Sequence, residues 1–282
     1  MSHAYFRTQP NSHAGGEELV PLPWSGSGWG EGHMRGLAVS GALARATELT
    51  VAALGRPELL PARWTLDMFR PARMQPCVAS VTVVRESKRL CLVDAVLSQD
   101  DHPVARASAL FLSPSESPAG AVWSGGAQPE PPPSDTPMAA DQDRLYYSEG
   151  IGWGDPALAQ HSGRKQVWHR AVPVVEGEQI TPFQFAAGVA DVMNVVSNLG
   201  ANGLEFINPD VTLALVRLPR SMELGFAATD RVERDGISVG SAVVFDREGV
   251  FGTATVCGLA NAQRAVDLQA FWTNGNQPRA PR

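Results

Sequence analysis

An internal repeat constrains the fold of this chain more than any other feature of the sequence. The pair Thr65-Leu66 recurs at Thr212, 147 positions later, and residues 84–86 (VRE) have a counterpart in residues 232–234 (VER), 148 positions later. A nearly constant spacing between such matches indicates a duplicated structural unit. The 282-residue chain is therefore expected to fold as two similar halves.

Each half is predicted to contain one largely apolar helix followed by a series of antiparallel strands. The first helix is predicted over residues 34–54, which are rich in Ala and Leu and end before Gly55. The second is predicted over residues 181–200, where Thr181 is a suitable N-cap and Gln184 can complete a capping box. Segments such as LCLVDAVLS and ISVGSAVVFD alternate apolar with small or polar residues, as half-buried strands do. An apolar helix has to be enclosed, and a strongly curved sheet can enclose it. The predicted class is α+β.

A stretch rich in Pro, Gly and Ser separates the two halves. Residues 114–140 contain few large apolar side chains and are predicted to form a linker. The expected organisation is a first domain over residues 1–113, this linker, and a second domain over residues 141–282 that ends in a short flexible tail.

Composition excludes several classes of function. The formal net charge of −6 and the pI near 5.5 argue against nucleic acid as a partner. No apolar run reaches the roughly 20 residues that cross a bilayer, and the N-terminus lacks the pattern of a secretory signal, so neither a membrane nor secretion is expected. The three cysteines, Cys77, Cys91 and Cys257, have neither disulfide nor metal-site spacing. The expected location is the cytoplasm, without a metal or cofactor.

Three stretches resemble the thioesterase-like superfamily related to the type II acyl-CoA thioesterases. They are residues 32–36 (GHMRG), where Arg35 departs from the family pattern, 61–71 (PARWTLDMFRP) and 203–213 (GLEFINPDVTL). The resemblance covers about residues 15–112 and 145–262. It implies a double hotdog, in which two tandem hotdog domains each wrap a curved antiparallel sheet around one long helix. It also implies hydrolysis of acyl-CoA to free acid and CoA, and assembly into a homodimer or a higher homo-oligomer.

The resemblance places a catalytic water among three side chains. Asp191 matches the helical Asp that activates the water, Asn208 occupies the position of a Thr or Ser, and Cys257 falls at or within one residue of a Gln. Burial of Asp191 among apolar residues would raise its pKa and make it a better base near neutral pH. Asn208 can still hold a water through its amide, whereas the thiol of Cys257 replaces an amide poorly.

Each of these residues also has a purely structural interpretation. Asp191 can belong to a solvent-facing polar stripe with Gln184, Asn194 and Asn198. Asn208 can serve only the turn before a strand, and Cys257 can be an inert core residue.

The substrate is expected to contact the starts of both helices. His33 and the N–H groups near Gly36 and Leu37 are candidates for an oxyanion site at the positive end of the first helix. Gly188 would leave room for the ligand. Coenzyme A would be held by basic residues such as Arg70, Arg217 or Arg220, whereas His102, His161 and His169 are interpreted as surface or edge residues.

Two other functions compete with hydrolysis. The departure at Cys257 favours a non-catalytic protein that binds acyl groups or acyl-CoA on a hotdog scaffold. A hotdog hydratase acting on enoyl thioesters is disfavoured, because its Gly-Asp-x-Asn-Pro-x-His run is missing from the sequence.

Overall fold

The computed structural model describes residues 3–10, 17–30, 32–154 and 159–267. One 12-stranded sheet dominates these residues, and all its neighbouring strands are antiparallel. Its strands in the first half are β3 (Leu60–Met68), β4 (Val78–Glu86), β5 (Leu90–Gln99) and β6 (His102–Leu112). Those in the second half are β7 (Arg144–Ser148), β8 (Gly152–Gly154), β9 (Gln166–Arg170), β12 (Phe206–Ile207), β13 (Asp210–Leu215), β14 (Glu223–Arg234), β15 (Ile237–Asp246) and β16 (Gly249–Ala260). Two small hairpins complete the set: β1 (Phe6–Pro10) with β2 (Glu17–Pro21), and β10 (Leu199–Gly200) with β11 (Gly203–Leu204).

The two halves of the sheet have the same strand order. Read outward from the centre, the first half runs β3-β6-β5-β4 and the second runs β13-β16-β15-β14, after which β9, β7 and β8 extend the second side. The central strands β3 and β13 pair with Thr65 directly opposite Thr212. The repeated Thr residues therefore meet at the axis that relates the two halves, and the predicted duplication and α+β double-hotdog class are confirmed.

The first helix lies close to its predicted position. It is α1 (Gly36–Ala53), and it packs against β4, β5 and β6. Gly55 follows its C-cap with φ of 69°, a left-handed conformation that glycine adopts without strain.

The second helix differs from the prediction of one continuous helix. Helix α2 (Pro182–Val189) is followed by a 3-10 turn (Ala190–Val192) and by α3 (Met193–Asn198), which packs against β14, β15 and β16. Thr181 caps α2 as predicted, because its Oγ1 accepts the Gln184 N–H at 3.1 Å. The Gln184 side chain does not complete a capping box; it donates to Glu48 of α1 at 2.8 Å. The prediction failed because the Gln184 side chain bonds to Glu48 of the neighbouring helix instead of the main chain at the start of its own helix.

The helices α1 and α2 pack closely against each other. A Cβ atom added to Gly188 of α2 would lie 3.6 Å from the Cα of Gly41 in α1. Trp64 of β3 is 1% exposed, and its Nε1 donates to Ser40 of α1, which in turn donates to the carbonyl of Ala187. This chain of hydrogen bonds holds both helices to the central strand.

Residues 113–143, all of which are described, contain turns but no helix or strand. The predicted linker lies within this segment, and the division into two domains stays a prediction.

Candidate active site

A cavity of about 390 Å³ lies where the two halves meet at the N-terminus of α1. The first half contributes residues around the start of α1 and the segment after β3. The second half contributes the turn between α2 and α3 and the connection between β12 and β13. Much of the lining is apolar and includes Met34, Leu37, Val192, Val195, Leu204 and Ile207. An apolar cavity of this size with a few polar groups is typical of a ligand site.

Asp191 lies in the 3-10 turn that interrupts the second helix, and its carboxylate faces the cavity. The same carboxylate packs against Gly36, the first residue of α1. A Cβ atom at position 36 would stand 2.6 Å from Asp191 Oδ1, and closer still to the other carboxyl atoms. The turn in the second helix and the glycine in the first therefore bring the acidic side chain to the positive end of α1.

The surroundings of Asp191 act on its pKa in opposite directions. Burial disfavours the charged form and raises the pKa, while the hydrogen bond from Asn208 and the charges of Arg144 and Arg35 act to lower it; the net effect is a raised pKa. Asn208 Nδ2 donates to Asp191 Oδ1 at 3.0 Å and also to the carbonyl of Asp210 at 3.3 Å. The structure thus brings Asp191 and Asn208 together, as the sequence predicted. Asn208 also belongs to the turn before β13.

The predicted oxyanion residues line the same cavity. His33, Gly36 and Leu37 all contribute to its wall. The N-cap residue Arg35 makes no side-chain cap, and the first N–H groups of a helix have no partner within the helix. The start of α1 therefore offers main-chain donors at the position where the Asp191 carboxylate lies.

Three further charged side chains form a cluster beside this site. Arg35 Nη1 donates to Asp143 Oδ2 at 2.8 Å, and Arg144 donates to both oxygens of Asp143, at 2.8 and 3.0 Å. Burial alone would raise the pKa of Asp143, but the charges of Arg144 and Arg35 hold it well below its usual range. Arg35 and Arg144 line the cavity. Asp143 and Arg144 were not predicted from the sequence, although the departure from the family pattern at Arg35 could have indicated an unusual partner for that residue.

The prediction that His169 lies at the surface or an edge is wrong. Its side chain is fully buried on β9, opposite Arg144 of β7, and neither ring nitrogen has a hydrogen-bond partner among the described residues. Burial lowers the pKa of His169 to about 3, so its ring is neutral. The prediction failed because β9 pairs with β14 on one side and with β7 on the other, which places His169 in the interior of the sheet. His102 is exposed and His161 is half-buried.

Cys257 does not lie in this site. Its side chain is exposed on the outer face of β16, its N–H donates to Asp210 Oδ1 at 2.9 Å, and it is not among the described residues that line the cavity. The interpretation as a core residue is therefore wrong, because the alternation of β16 turns Cys257 outward and Val256 inward. The strand that was expected to supply an amide thus presents an apolar side chain to the interior.

The solvent-facing stripe is also excluded. Gln184, Asn194 and Asn198 are 7%, 3% and 7% exposed, and each has a hydrogen-bond partner inside the protein. Gly188, predicted to leave room for a ligand, instead faces Gly41 and Leu37 of α1 and is not among the described lining residues. Its small size serves helix packing.

The three arginines considered for coenzyme A have different environments. Arg70 lines the cavity and is exposed. Arg217 is held by Asp246 in a bidentate pair at 2.7 and 2.8 Å, and Arg220 pairs with Glu248 at 3.3 Å; neither is among the described lining residues. Arg264, from the segment after β16, lines the cavity and was not predicted.

Within the described ranges, no three His, Cys, Asp or Glu side chains gather as a metal site. No helix in the described part of the chain combines the length and the apolar character needed to span a membrane.

Comparisons with known proteins identify both halves of the chain. Residues 26–112 match the family described as "Acyl-CoA thioesterase N-terminal domain", and residues 117–256 match "Acyl-CoA thioesterase C-terminal domain". No curated protein sequence matches the chain.

Solved structures share the fold at low sequence identity. A putative thioesterase II from Thermobifida fusca has a TM-score of 0.65 at 14% identity, over 92% of this chain and 99% of its own. The acyl-CoA thioesterase II TesB2 from Mycobacterium marinum has a TM-score of 0.59 at 15% identity, over 80% and 90%. A hot dog fold protein of unknown function from Alicyclobacillus acidocaldarius has a TM-score of 0.59 at 17% identity, over 86% and 92%. Because the two family matches together cover most of the chain, it belongs to the acyl-CoA thioesterase family, a family of thioester hydrolases.

Proposed function

We propose that this protein hydrolyses acyl-CoA thioesters to free acid and CoA through a water molecule activated by Asp191. One observation carries the proposal: the only carboxylate among the described residues that line the cavity has a raised pKa and lies at the start of α1. A general base is most effective when its pKa approaches the working pH.

In the proposed mechanism, Asp191 takes a proton from the water as the oxygen attacks the thioester carbonyl. The hydrogen bond from Asn208 Nδ2 to Asp191 Oδ1 holds the carboxylate in one orientation. The negative charge that develops on the carbonyl oxygen is stabilised by the main-chain N–H groups of Gly36 and Leu37 at the start of α1, with His33 nearby. When the C–S bond breaks, the electron pair goes to sulfur, and the leaving thiolate of CoA takes up the proton that Asp191 accepted from the water.

The shape of the cavity suits the two ends of the substrate. Apolar residues such as Leu37, Val195 and Ile207 offer a wall for the acyl chain. Arg70 and Arg264 supply positive charge along the lining for the phosphates of CoA.

The experiment is a panel of acyl-CoAs of increasing chain length, with release of free thiol followed by a colorimetric reagent. We expect turnover by the natural chain and its loss in Asp191→Asn. The proposal fails if no chain length is hydrolysed, or if Asp191→Asn hydrolyses as fast as the natural chain.

A second candidate is a protein that binds acyl-CoA without hydrolysing it. The observation in its favour is the inward-facing Val256, where the resemblance expects an amide at or next to this position. Calorimetry with the same panel separates the two candidates, since tight binding of intact acyl-CoA without thiol release supports the second.

We further propose a homodimer or a higher homo-oligomer in the cytoplasm. Val232, Ile237, Val239 and Leu259 are exposed on adjacent strands of the second half, and such an apolar patch suits a second copy of the chain. The three free cysteines suit a reducing compartment. A monomer mass in light scattering would contradict the assembly.

A further inference from the structure

One N–H bond of the Asn194 side chain has no acceptor in the described part of the chain. Asn194 lies on α3, three residues after Asp191, and it lines the same cavity although it is only 3% exposed. Its Nδ2 donates to the carbonyl of Phe206 at 3.0 Å and makes no other hydrogen bond with the described residues. A side-chain amide carries two N–H donors, and buried donors are normally paired. The second N–H of Asn194 is therefore available to a molecule inside the cavity.

The orientation of the Asn194 amide is fixed by its partners. A carbonyl oxygen only accepts, so the atom that faces Phe206 has to be Nδ2. At the other end, Arg231 Nε and the Ser238 hydroxyl donate to Asn198 Oδ1, each at 3.0 Å. Asn198 Nδ2 in turn donates to Asn194 Oδ1, also at 3.0 Å. Because arginine can only donate, this chain of hydrogen bonds has one polarity, and Asn194 cannot exchange its oxygen and its nitrogen.

Asn208, the other amide beside Asp191, has no N–H left for a ligand. Its Nδ2 donates to Asp191 Oδ1 at 3.0 Å and to the carbonyl of Asp210 at 3.3 Å, which uses both hydrogens. Asp191 Oδ2 accepts no hydrogen bond from the residues that the structure describes. Residues three apart in a helical segment lie on one face. The site therefore places an acceptor on Asp191 and a donor on Asn194 side by side, as a bound water requires.

We propose that Asn194 is a further catalytic residue, which holds the attacking water by donating its second N–H to the water oxygen. The inference rests on the proposed function and deepens it. The water donates one hydrogen to Asp191 Oδ2 and accepts one from Asn194, which leaves its other lone pair for the thioester carbonyl carbon. Asn198 is a positioning residue, because it holds the Asn194 amide and is not among the described residues that line the cavity.

The reaction balances with Asn194 in this role. As the water oxygen bonds to the carbonyl carbon, one proton of the water passes to Asp191, and an electron pair of the carbonyl bond moves to the carbonyl oxygen. When that pair re-forms the carbonyl, the C–S bond breaks, its electron pair goes to sulfur, and the thiolate takes up the proton from Asp191. The free acid keeps the oxygen and the second hydrogen of the water. Asn194 exchanges no proton in any of these steps.

The experiment compares Asn194→Ala with Asn198→Ala in the full chain, using the preferred acyl-CoA. Both substitutions break the hydrogen bond between the two amides, but only Asn194→Ala removes the donor to the water. We expect kcat to fall by about 100-fold in Asn194→Ala, because the water is no longer held in place. In Asn198→Ala we expect a loss of no more than about fivefold.

Two readouts separate this catalytic role from a structural one. A thioether analogue of the substrate, with CH₂ in place of the thioester carbonyl, fills the cavity but offers the water no carbon to attack. Its Kd, measured by calorimetry, should stay within about twofold in Asn194→Ala, since Asn194 binds the water and not the acyl chain. The acidic limb of kcat against pH should keep its position, because Asn194 makes no hydrogen bond to Asp191.

Equal losses of kcat in Asn194→Ala and Asn198→Ala would overturn the inference, as would a loss of affinity for the thioether as large as the loss of kcat. If Asn194→Ala does not fold, NMR on the ¹⁵N-labelled natural chain decides. The side-chain amide of Asn194 should then show a nuclear Overhauser effect to a bound water, and its absence would refute the inference. If the natural chain hydrolyses no acyl-CoA, the proposed function fails, but the NMR signal still decides whether Asn194 binds a water.

Discussion

Gly36 and Asp191 are in such close contact that the carboxylate occupies the space where any other residue at position 36 would place its Cβ atom. The first residue of α1 therefore has to be glycine if Asp191 is to reach the start of that helix. We expect Gly36→Ala to displace the carboxylate and to lower kcat/KM by about 100-fold or more, since a misplacement of about 1 Å can cost that much. Steady-state kinetics with the preferred acyl-CoA measures the loss.

Gly188→Ala is the matched control for this substitution, because both glycines are helical. Its new Cβ would meet Gly41 and Leu37 at 3.6 Å, an ordinary contact. The free energy of unfolding should change by no more than about 1 kcal/mol. Full activity in Gly36→Ala would contradict the assigned position of the carboxylate.

Asp191→Asn should remove hydrolysis and at the same time stabilise the fold. Loss of a general base typically lowers kcat by about 10²- to 10⁴-fold. Because the pKa of Asp191 is raised in the folded protein, its ionised form destabilises the fold at neutral pH, and the amide removes that cost. A gain of about 1 kcal/mol would raise Tm by about 2–4 °C in a chain of this size.

Because the pKa of Asp191 is raised by folding, the stabilisation by Asp191→Asn depends on pH. The destabilisation by Asp191 is complete above its raised folded pKa and absent below its unfolded pKa of about 3.9. The Tm advantage of Asp191→Asn should therefore shrink as the pH falls toward 4 in a series of thermal melts. An advantage that is independent of pH would show that the carboxylate is not the cause.

The sequence predicted the duplicated fold well, because the repeat and the alternation in each half are local patterns. It also predicted the pair of Asp191 and Asn208, through motifs that lie close together in the chain. It failed at Cys257, because a shift of one residue along a strand exchanges the inward and outward faces. It could not predict the contact of Arg35 with Asp143, since these residues are 108 positions apart and meet only through the fold.

Cys257 should be an accessible thiol with no part in hydrolysis, although burial and the neighbouring Asp210 raise its pKa and slow its reaction. It is the exposed one of the three cysteines, whereas Cys77 and Cys91 are buried. A thiol reagent such as a maleimide should therefore label one cysteine in the native protein and the other two only after unfolding. Mass spectrometry counts the labels. Cys257→Ser should retain the kcat/KM of the natural chain within about twofold. A larger loss of activity would show that Cys257 contributes to the active site.

Asn208→Ala should shift the pH dependence of hydrolysis upward. The base works when it is ionised, so kcat/KM falls as the pH drops through the pKa of Asp191. The hydrogen bond from Asn208 favours the ionised carboxylate, and its removal should raise this pKa further. The acidic limb should move to higher pH, with kcat reduced by about tenfold. Asn202→Ala, at an exposed residue, is the control and should leave the profile unchanged.

Arg70 and Arg264 should contribute to binding of the CoA moiety rather than to the chemical step. Both line the cavity, and a hydrogen bond from a guanidinium to a phosphate is charge-assisted. Each substitution to alanine should raise KM for an acyl-CoA by about tenfold, with little change in kcat. The corresponding acyl-pantetheine lacks the nucleotide phosphates, so its KM should not respond to either substitution. Arg220→Ala is the control, because Arg220 pairs with Glu248 and is not among the described residues that line the cavity. If both substrates lose affinity equally, the two arginines act on the shape of the cavity and not on the phosphates.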